Sequence, residues 1–234
     1  PPLGVQERIV AVLGALDDKI AVNERIAVTS EELAVVLASD ETWLERVELG
    51  GLVCYKREQI SPSSVSERLA AHYSLPSFDS ARRPEIVPPD SIKSGKFLVS
   101  EACVLLSKLN PSTPRVWLVD PPLAPISLAS TEFLVLVPKE GVDAAEVWAV
   151  CSQRSFTDEL ASRATGTSNS HQRVRPSDVL AAEVVDPRSM SDEIRSHIRS
   201  LTARARQARS ESVTLSELRD TLLPKLMSGE LRVR

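Results

Sequence analysis

Cysteine, histidine and glycine are scarce in this chain of 234 residues, and their scarcity removes several chemistries at once. Cys54, Cys103 and Cys151 stand far apart with no C-x-x-C pairing. Their odd number suits a reducing compartment, where buried free thiols are expected. His72, His171 and His197 are equally scattered, so local spacing builds no metal-ligand cluster. The glycines form no loop that could cradle a nucleoside cofactor. Long apolar runs are also missing: Phe133 to Val137 is far short of a membrane span, and no charged-then-apolar leader opens the chain. A soluble, cytoplasmic protein without a bound cofactor or metal is expected. The formal net charge of −4 argues against nonspecific coating of nucleic acid, although a total says nothing about local patches.

What the chain has is a helical pattern at each end. Ile9, Leu13, Leu16 and Ile20 step by four, three and four, a heptad seam that Asn23 and Ala27 continue. At the far end Ser191 can cap a helix whose first turn carries Asp192 and Glu193, well placed against the positive end of the dipole. Its seam runs Ile194, Ile198, Leu201, Ala205, Ala208, Ser212, Leu215 and Leu222, and is expected to stop at Pro224. A helix of about 31 residues is ~46 Å long, more than a compact domain of this size needs, so it should pack along another long helix. The small residues Ala205, Ala208 and Ser212 would let that partner come close. The two ends also align with each other: Pro2 on Pro187, Ile9 on Ile194, Leu13 on Ile198 and Leu16 on Leu201.

Between these arms the texture changes. Most of the 16 prolines fall between Pro62 and Pro138 and mark turns among short β-type runs. Lys96 to Val99, Ala102 to Leu106, Val116 to Val119 and Phe133 to Val137 are the best strand candidates. Asp143 to Leu160, Glu31 to Ala38 and Ser64 to His72 are expected to be helical. The fold class is therefore α+β, with one mixed domain at residues 29–188 between arms at 1–28 and 189–234. With 42% hydrophobic residues the chain can bury such a core.

Two motif-like segments suggest enzymes and fail on inspection. Asp120-Pro121-Pro122-Leu123 resembles the amino-methyltransferase motif, but the position of the aromatic base-stacker is Leu123. Pro89-Asp90 could open a metal-dependent nuclease motif, yet no acidic-x-Lys completes it. No serine, cysteine or histidine sits in a nucleophile motif, and no catalytic activity is expected.

The terminal stretch Leu218 to Val233 (LRDTLLPKLMSGELRV), with Leu218, Leu222 and Leu226 on one face, Pro224 as a break and Gly229 as a close, resembles the C-terminal signature of the specificity subunit of Type I restriction-modification enzymes. The opening PLxxQERIxxxLxxLDDKIxxNxxI resembles the arm that follows that family's first target-recognition domain. The resemblance implies one half of such a subunit, arm, domain and arm, either natural half-length or trimmed. The missing initiator Met favours trimming or processing. It further implies double-stranded DNA as ligand and methyltransferase subunits as partners docked through the helices, whose interface with each other is expected at Ile9, Leu13, Leu16, Ile20, Ile194, Ile198, Leu201, Leu215 and Leu222. The restriction subunit would join through the complex. S-adenosylmethionine and ATP would belong to those partners. A half-length chain would self-associate as a two-fold dimer.

Two polar segments carry the implied DNA contacts. Ser100 to Pro111 (SEACVLLSKLNP) resembles the family's strand-turn element, with Ser100-Glu101 in place of its Gly-Asp and Lys108 at the turn; Arg115 follows it. Ala164 to Val174 (ATGTSNSHQRV) resembles the polar loop before the last strand of the domain. Ser168, Asn169, His171, Gln172 and Arg173 carry donors there, and Arg163, Arg173 and Arg175 supply charge in a run free of acid from Ala161 to Ser177. Asn or Gln can pair with adenine and Arg with guanine in the major groove. The plain alternative is a solvated polar loop. On that alternative the chain is a coiled-coil scaffold whose middle domain binds peptide.

Overall fold

The structure, a computed structural model, describes residues 2–39, 45–120, 126–166 and 172–232. In chain order it contains α1 (Leu3–Ala38), β1 (Arg46–Glu48), α2 (Leu49–Leu52), β2 (Val53–Lys56), β3 (Gln59–Ile60), β4 (Ala70–Tyr73), α3 (Leu75–Ala81), β5 (Glu85–Val87) and β6 (Lys96–Leu98). There follow β7 (Cys103–Ser107), β8 (Val116–Val119), β9 (Ser127–Ser130), β10 (Phe133–Pro138), α4 (Ala144–Cys151), α5 (Arg154–Ser162), α6 (Pro176–Leu180), β11 (Glu183–Val185) and α7 (Asp192–Ser228). Two compact units emerge. One joins the chain up to Ala34 with the chain from Arg199 onward; the other is Val35–Ile198.

The first unit is an antiparallel helix pair. Along α1 the expected seam residues Ile9, Leu13, Leu16, Ile20, Asn23 and Ala27 are buried or half-buried. The separate helix expected over Glu31 to Ala38 is instead the end of α1. Nothing between Val28 and Glu31 breaks it, and the heptad runs on through Ser30, Ala34 and Ala38. On α7, Leu201, Ala205, Ala208, Ser212, Leu215 and Leu222 are covered in the same way. Ala27, Ala205 and Ala208 form one buried cluster, flanked by Ile26. Their small side chains let the two backbones approach closely. Polar pairs flank it: Arg219 donates to Asp17 at 2.8 Å, Asn23 donates to Glu211 at 2.9 Å, and Lys19 lies 3.3 Å from Glu211. The guanidinium of Arg209 grips both carboxylate oxygens of Glu31.

Helix α7 starts as read, with Ser191 Oγ accepting from the Ile194 N–H at 3.3 Å. It does not stop at Pro224, which lies inside the helix. Proline removes one N–H and strains one turn, but Leu226, buried two residues on, holds the final turn in place. Gly229 then closes the helix at φ +79°, and the Leu231 N–H returns to the Lys225 carbonyl at 3.0 Å.

The second unit is built on two facing sheets. A four-stranded antiparallel sheet has the order β2-β10-β7-β8, and a five-stranded sheet has the order β3-β6-β9-β4-β5 with one parallel pair, β4 and β9. Between them lies the main core, with Leu105, Phe133 and Val135 from one sheet and Tyr73, Phe97 and Ala129 from the other. Trp117 is its centre, meeting Tyr73, Phe78 and Phe133 edge-on at 4.9, 5.5 and 6.3 Å. Helix α4, fully buried, covers the outer face of the four-stranded sheet, and Trp148 donates its indole N–H to the Val116 carbonyl. Strands β7 and β10 are thus buried on both faces, which is why they read as unbroken apolar runs. A short ribbon, β1 with β11, completes the β structure.

Three expectations need correction here. Ser64 to His72 is not helical: a 3-10 turn at Pro62–Ser64 leads to β4, whose pairing with β9 and packing of Tyr73 on Trp117 override the helix preference of its alanines. Asp143 to Leu160 is two helices, α4 and α5, parted at Ser152 and Gln153, because the buried Gln153 amide turns away to donate to the Ala38 carbonyl at 2.6 Å. Cys54 is exposed, while Cys103 and Cys151 are buried as expected. Burial pushes the Cys103 thiol up to about 12.

Overpacking the close approach of the arms should be costly. Ala27→Leu forces new methylenes between Ala205 and Ala208 and is expected to lower stability by about 1–3 kcal/mol, read as a lower urea midpoint. Ala11→Leu, on the exposed face of the same helix, should change stability by no more than about 0.5 kcal/mol.

Candidate nucleic-acid interface

Where β7 leaves its ladder the chain makes a tight turn. Ser107 Oγ accepts from the Leu109 N–H at 3.1 Å and donates to the Leu109 carbonyl at 3.0 Å. Asn110 follows in the left-handed region at φ +50°, tolerated because its short amide side chain crowds the backbone little, and Pro111 is buried behind it. This conformation aims the Asn110 N–H at the Gln172 carbonyl, 2.9 Å away. The Val174 N–H reaches the Lys108 carbonyl at 3.1 Å, and the Lys108 N–H reaches the Glu132 carbonyl at 2.8 Å. Thr165 and Arg173 exchange both backbone bonds at 3.0 Å. The Lys108 turn and the polar loop, far apart in sequence, are therefore neighbours in space.

The site residues inferred from sequence are disposed as follows. Lys108, Gln172 and Arg173 come together, with Arg175 close behind at the start of α6. Lys108 is half-buried and Arg175 exposed; among the described residues neither makes an ion pair. Burial holds the Lys108 ammonium below the usual lysine range; the positive charges of Arg173 and Arg57 add to this, and Glu132 opposes it. Arg173 donates through two nitrogens to the Glu132 carboxylate at 3.1 and 3.0 Å. Arg163 pairs with Glu159 at 2.5 Å and donates to the Asp178 carbonyl at 3.1 Å. Arg115 is clamped by Asp79 of α3 at 2.6 and 2.9 Å. Ser168, Asn169 and His171 lie outside the described residues, as do Pro121 to Leu123 of the methyltransferase-like segment.

The acid-free run thus carries less free charge than its sequence reads, since Glu132 and Glu159 reach it from outside. Sequence reasoning also passed over the turn between β2 and β3. There Tyr55, Arg57 and Gln59 join Lys108, Thr131 and Glu132 around an open cleft of about 690 Å³. The only local signal was the basic pair Lys56-Arg57, diluted by Glu58. Among the described residues no group of three or more His, Cys, Asp or Glu could hold a metal ion.

No family model and no curated protein matches the chain. Among solved structures, its fold is similar to that of the S subunit of a Type-I restriction-modification system from M. genitalium, at TM-score 0.63 and 14% identity, over 96% of this chain and 61% of that one. An HsdS subunit from Thermoanaerobacter tengcongensis aligns at TM-score 0.43 and 18% identity, over 99% of this chain and 60% of that one. A chain from a study of complex assembly and conformational transition of the type I R-M system aligns at TM-score 0.44 and 15% identity, over 99% of this chain and 61% of that one. This chain spans about three fifths of the length of the structures it matches.

The left-handed Asn110 should hold the turn against the loop. Asn110→Val places a β-branched side chain in that conformation and is expected to cost about 1–2 kcal/mol in a urea titration. Asn110→Gly, which adopts it freely, should cost less than half as much.

Proposed function

We propose that this chain is a DNA sequence-specificity subunit of a Type I restriction-modification system, or the arm, domain and arm that make up half of one. The observation that carries the reading is the fold, shared along 96% of this chain with the M. genitalium S subunit. The terminal and opening motifs agree with it. Residues 29–188 are the recognition domain and read one half of a bipartite site; the compact unit Val35–Ile198 contains nearly all of it. Lys108, Gln172, Arg173 and Arg175 lie on its contact face, and Ser168, Asn169 and His171, just before Gln172 in sequence, contribute to the same contacts. Phosphate contacts position such a domain and base-edge contacts specify the sequence.

The arms dock methyltransferase subunits, and through them the restriction subunit. Methyl transfer and ATP use belong to those partners, so this chain carries no catalysis of its own. The complex works in the cytoplasm. No described helix is long and apolar enough to cross a membrane.

The arms also set the distance between half-sites. In the antiparallel pair Ile20 lies between the Asp17–Arg219 and Asn23–Glu211 contacts, opposite the stretch that includes Leu215. One heptad inserted after Ile20 and one after Leu215 keep the seam and lengthen the pair by ~10 Å. At about 3.4 Å per base pair the spacer should grow by about three base pairs, with the half-sites unchanged. Methylome sequencing of cells carrying the lengthened chain with its methyltransferase subunits reads this directly. Methylation that persists at the original spacing, or moves to other half-site bases, overturns the distance role.

A further inference from the structure

The cleft beside the loop draws its lining from segments that the fold alone brings together: the end of β2 and the turn after it, β3, the turn after β7 and the turn before β10. Two cations face it. Arg57 lies 5.8 Å over the ring of Tyr55, which steadies the guanidinium without neutralising it, and it makes no ion pair among the described residues. Lys108 is the second; it makes no ion pair among the described residues, although the charge of Glu132 acts on it. A third cation, Arg173, is held at the edge by Glu132, whose backbone carbonyl also takes the Lys108 N–H. One carboxylate thus stands among three cations and leaves the cleft positive. Thr131, Gln59 and Tyr55 add neutral donors around the same space.

A ligand suited to this lining is anionic, has more than one oxygen to share among separate donors, and need not be large. A phosphodiester meets each requirement, and Arg and Lys are its usual partners. We propose that the cleft seats one backbone phosphate of bound duplex DNA, received by Arg57 and Lys108, and that Glu132 is an internal counter-ion competing with that phosphate for Arg173. The proposal rests on the specificity-subunit reading and assigns within it two residues that the sequence did not single out, Arg57 and Glu132. A counter-ion in this place weakens binding to every duplex, because a phosphate gains Arg173 only by displacing Glu132. The cost of that displacement does not depend on base sequence, so it lowers affinity for random and specific duplexes by the same factor.

The experiment uses the full chain in complex with its methyltransferase subunits, a labelled duplex carrying the methylated site, and a random duplex of equal length, titrated from about 50 to 200 mM salt. Each phosphate contact contributes about 0.9 to the slope of log K against log salt. Arg57→Ala should reduce the slope by about that amount on both duplexes, so that the fourfold rise in salt weakens binding about 3.5-fold less than in the wild type. Lys108→Ala should do the same. Glu132→Gln should tighten binding to the random duplex and steepen the slope, leaving the methylated sequence unchanged. Arg57 is exposed, so its variant should keep the wild-type thermal midpoint.

A wild-type complex that prefers its site while Arg57→Ala and Lys108→Ala keep the full slope overturns the cleft assignment and leaves the specificity reading intact. A wild-type complex with no site preference overturns the specificity reading, and the proposal with it. Glu132→Gln without tighter random binding overturns the counter-ion role. A free mononucleotide that binds the cleft more tightly than duplex makes it a small-molecule site and overturns the proposal.

Discussion

The ladder between β7 and β10 is the constraint on which the candidate interface depends. Both strands are buried on both faces, so every peptide group in them must find its partner inside the sheet. That requirement fixes where pairing runs, from Phe133 opposite Ser107 to Leu136 opposite Val104. It also fixes where pairing ends. The first residue beyond β7 is Lys108 and the last before β10 is Glu132, and the backbone bond between them is the continuation of the ladder. Their opposite charges are adjacent because the strands are adjacent. Val174 and Gln172 then attach to the carbonyl of Lys108 and the N–H of Asn110, so this anchorage is set by main chain rather than by side chains.

The ion pairs divide into two physical kinds. Glu146 is wholly buried, completes the capping box of α4 and takes two bonds from Arg195 at 2.9 and 3.0 Å. Breaking such a pair by deleting one partner costs about 3–5 kcal/mol, because a buried charge is left alone. Arg173 and Glu132 are 47% and 30% exposed at their side chains. A pair so hydrated contributes only about 0–1 kcal/mol, and exchanging one of its partners for another ion costs little. The first kind holds the start of α7 on the domain; the second is available to a ligand.

What could be read from sequence follows the range of the forces involved. The arms were legible because a heptad is a local pattern, and Ala102–Leu106 and Phe133–Val137 because doubly buried strands are continuous apolar runs. Strands β4 and β9, spelled AAHY and SLAS, were not legible. Most of their residues are small, and their strand character comes from their pairing with each other and from the packing of Tyr73 on Trp117. At the site, residue types pointed to Lys108 and the loop, and the chain brings Lys108, Gln172 and Arg173 together. Glu132 and Arg57 escaped notice because each gains its meaning from neighbours far away in sequence. Arg115 looked free for the same reason, its acidic partner Asp79 being supplied by α3, whereas Arg163 pairs with Glu159 four residues earlier, just outside the acid-free run.

Asn23 is 1% exposed in a seam otherwise built of apolar and small residues, and its one long-range bond goes to Glu211. Alanine surfaces such as Ala27, Ala205 and Ala208 offer little resistance to sliding, since one small side chain replaces another. The polar pairs do resist. A slip of one heptad in either direction sets Glu31 against Thr202 or Ser216 instead of Arg209, and Asp17 against Ser212 or Leu226 instead of Arg219. It also leaves the Asn23 amide facing Arg204 or Leu218, where a buried unsatisfied group costs about 1–3 kcal/mol. The two helices can therefore lock at one offset and not at the offsets ~10 Å to either side, so their overlap is a discrete quantity that selection changes only in whole heptads.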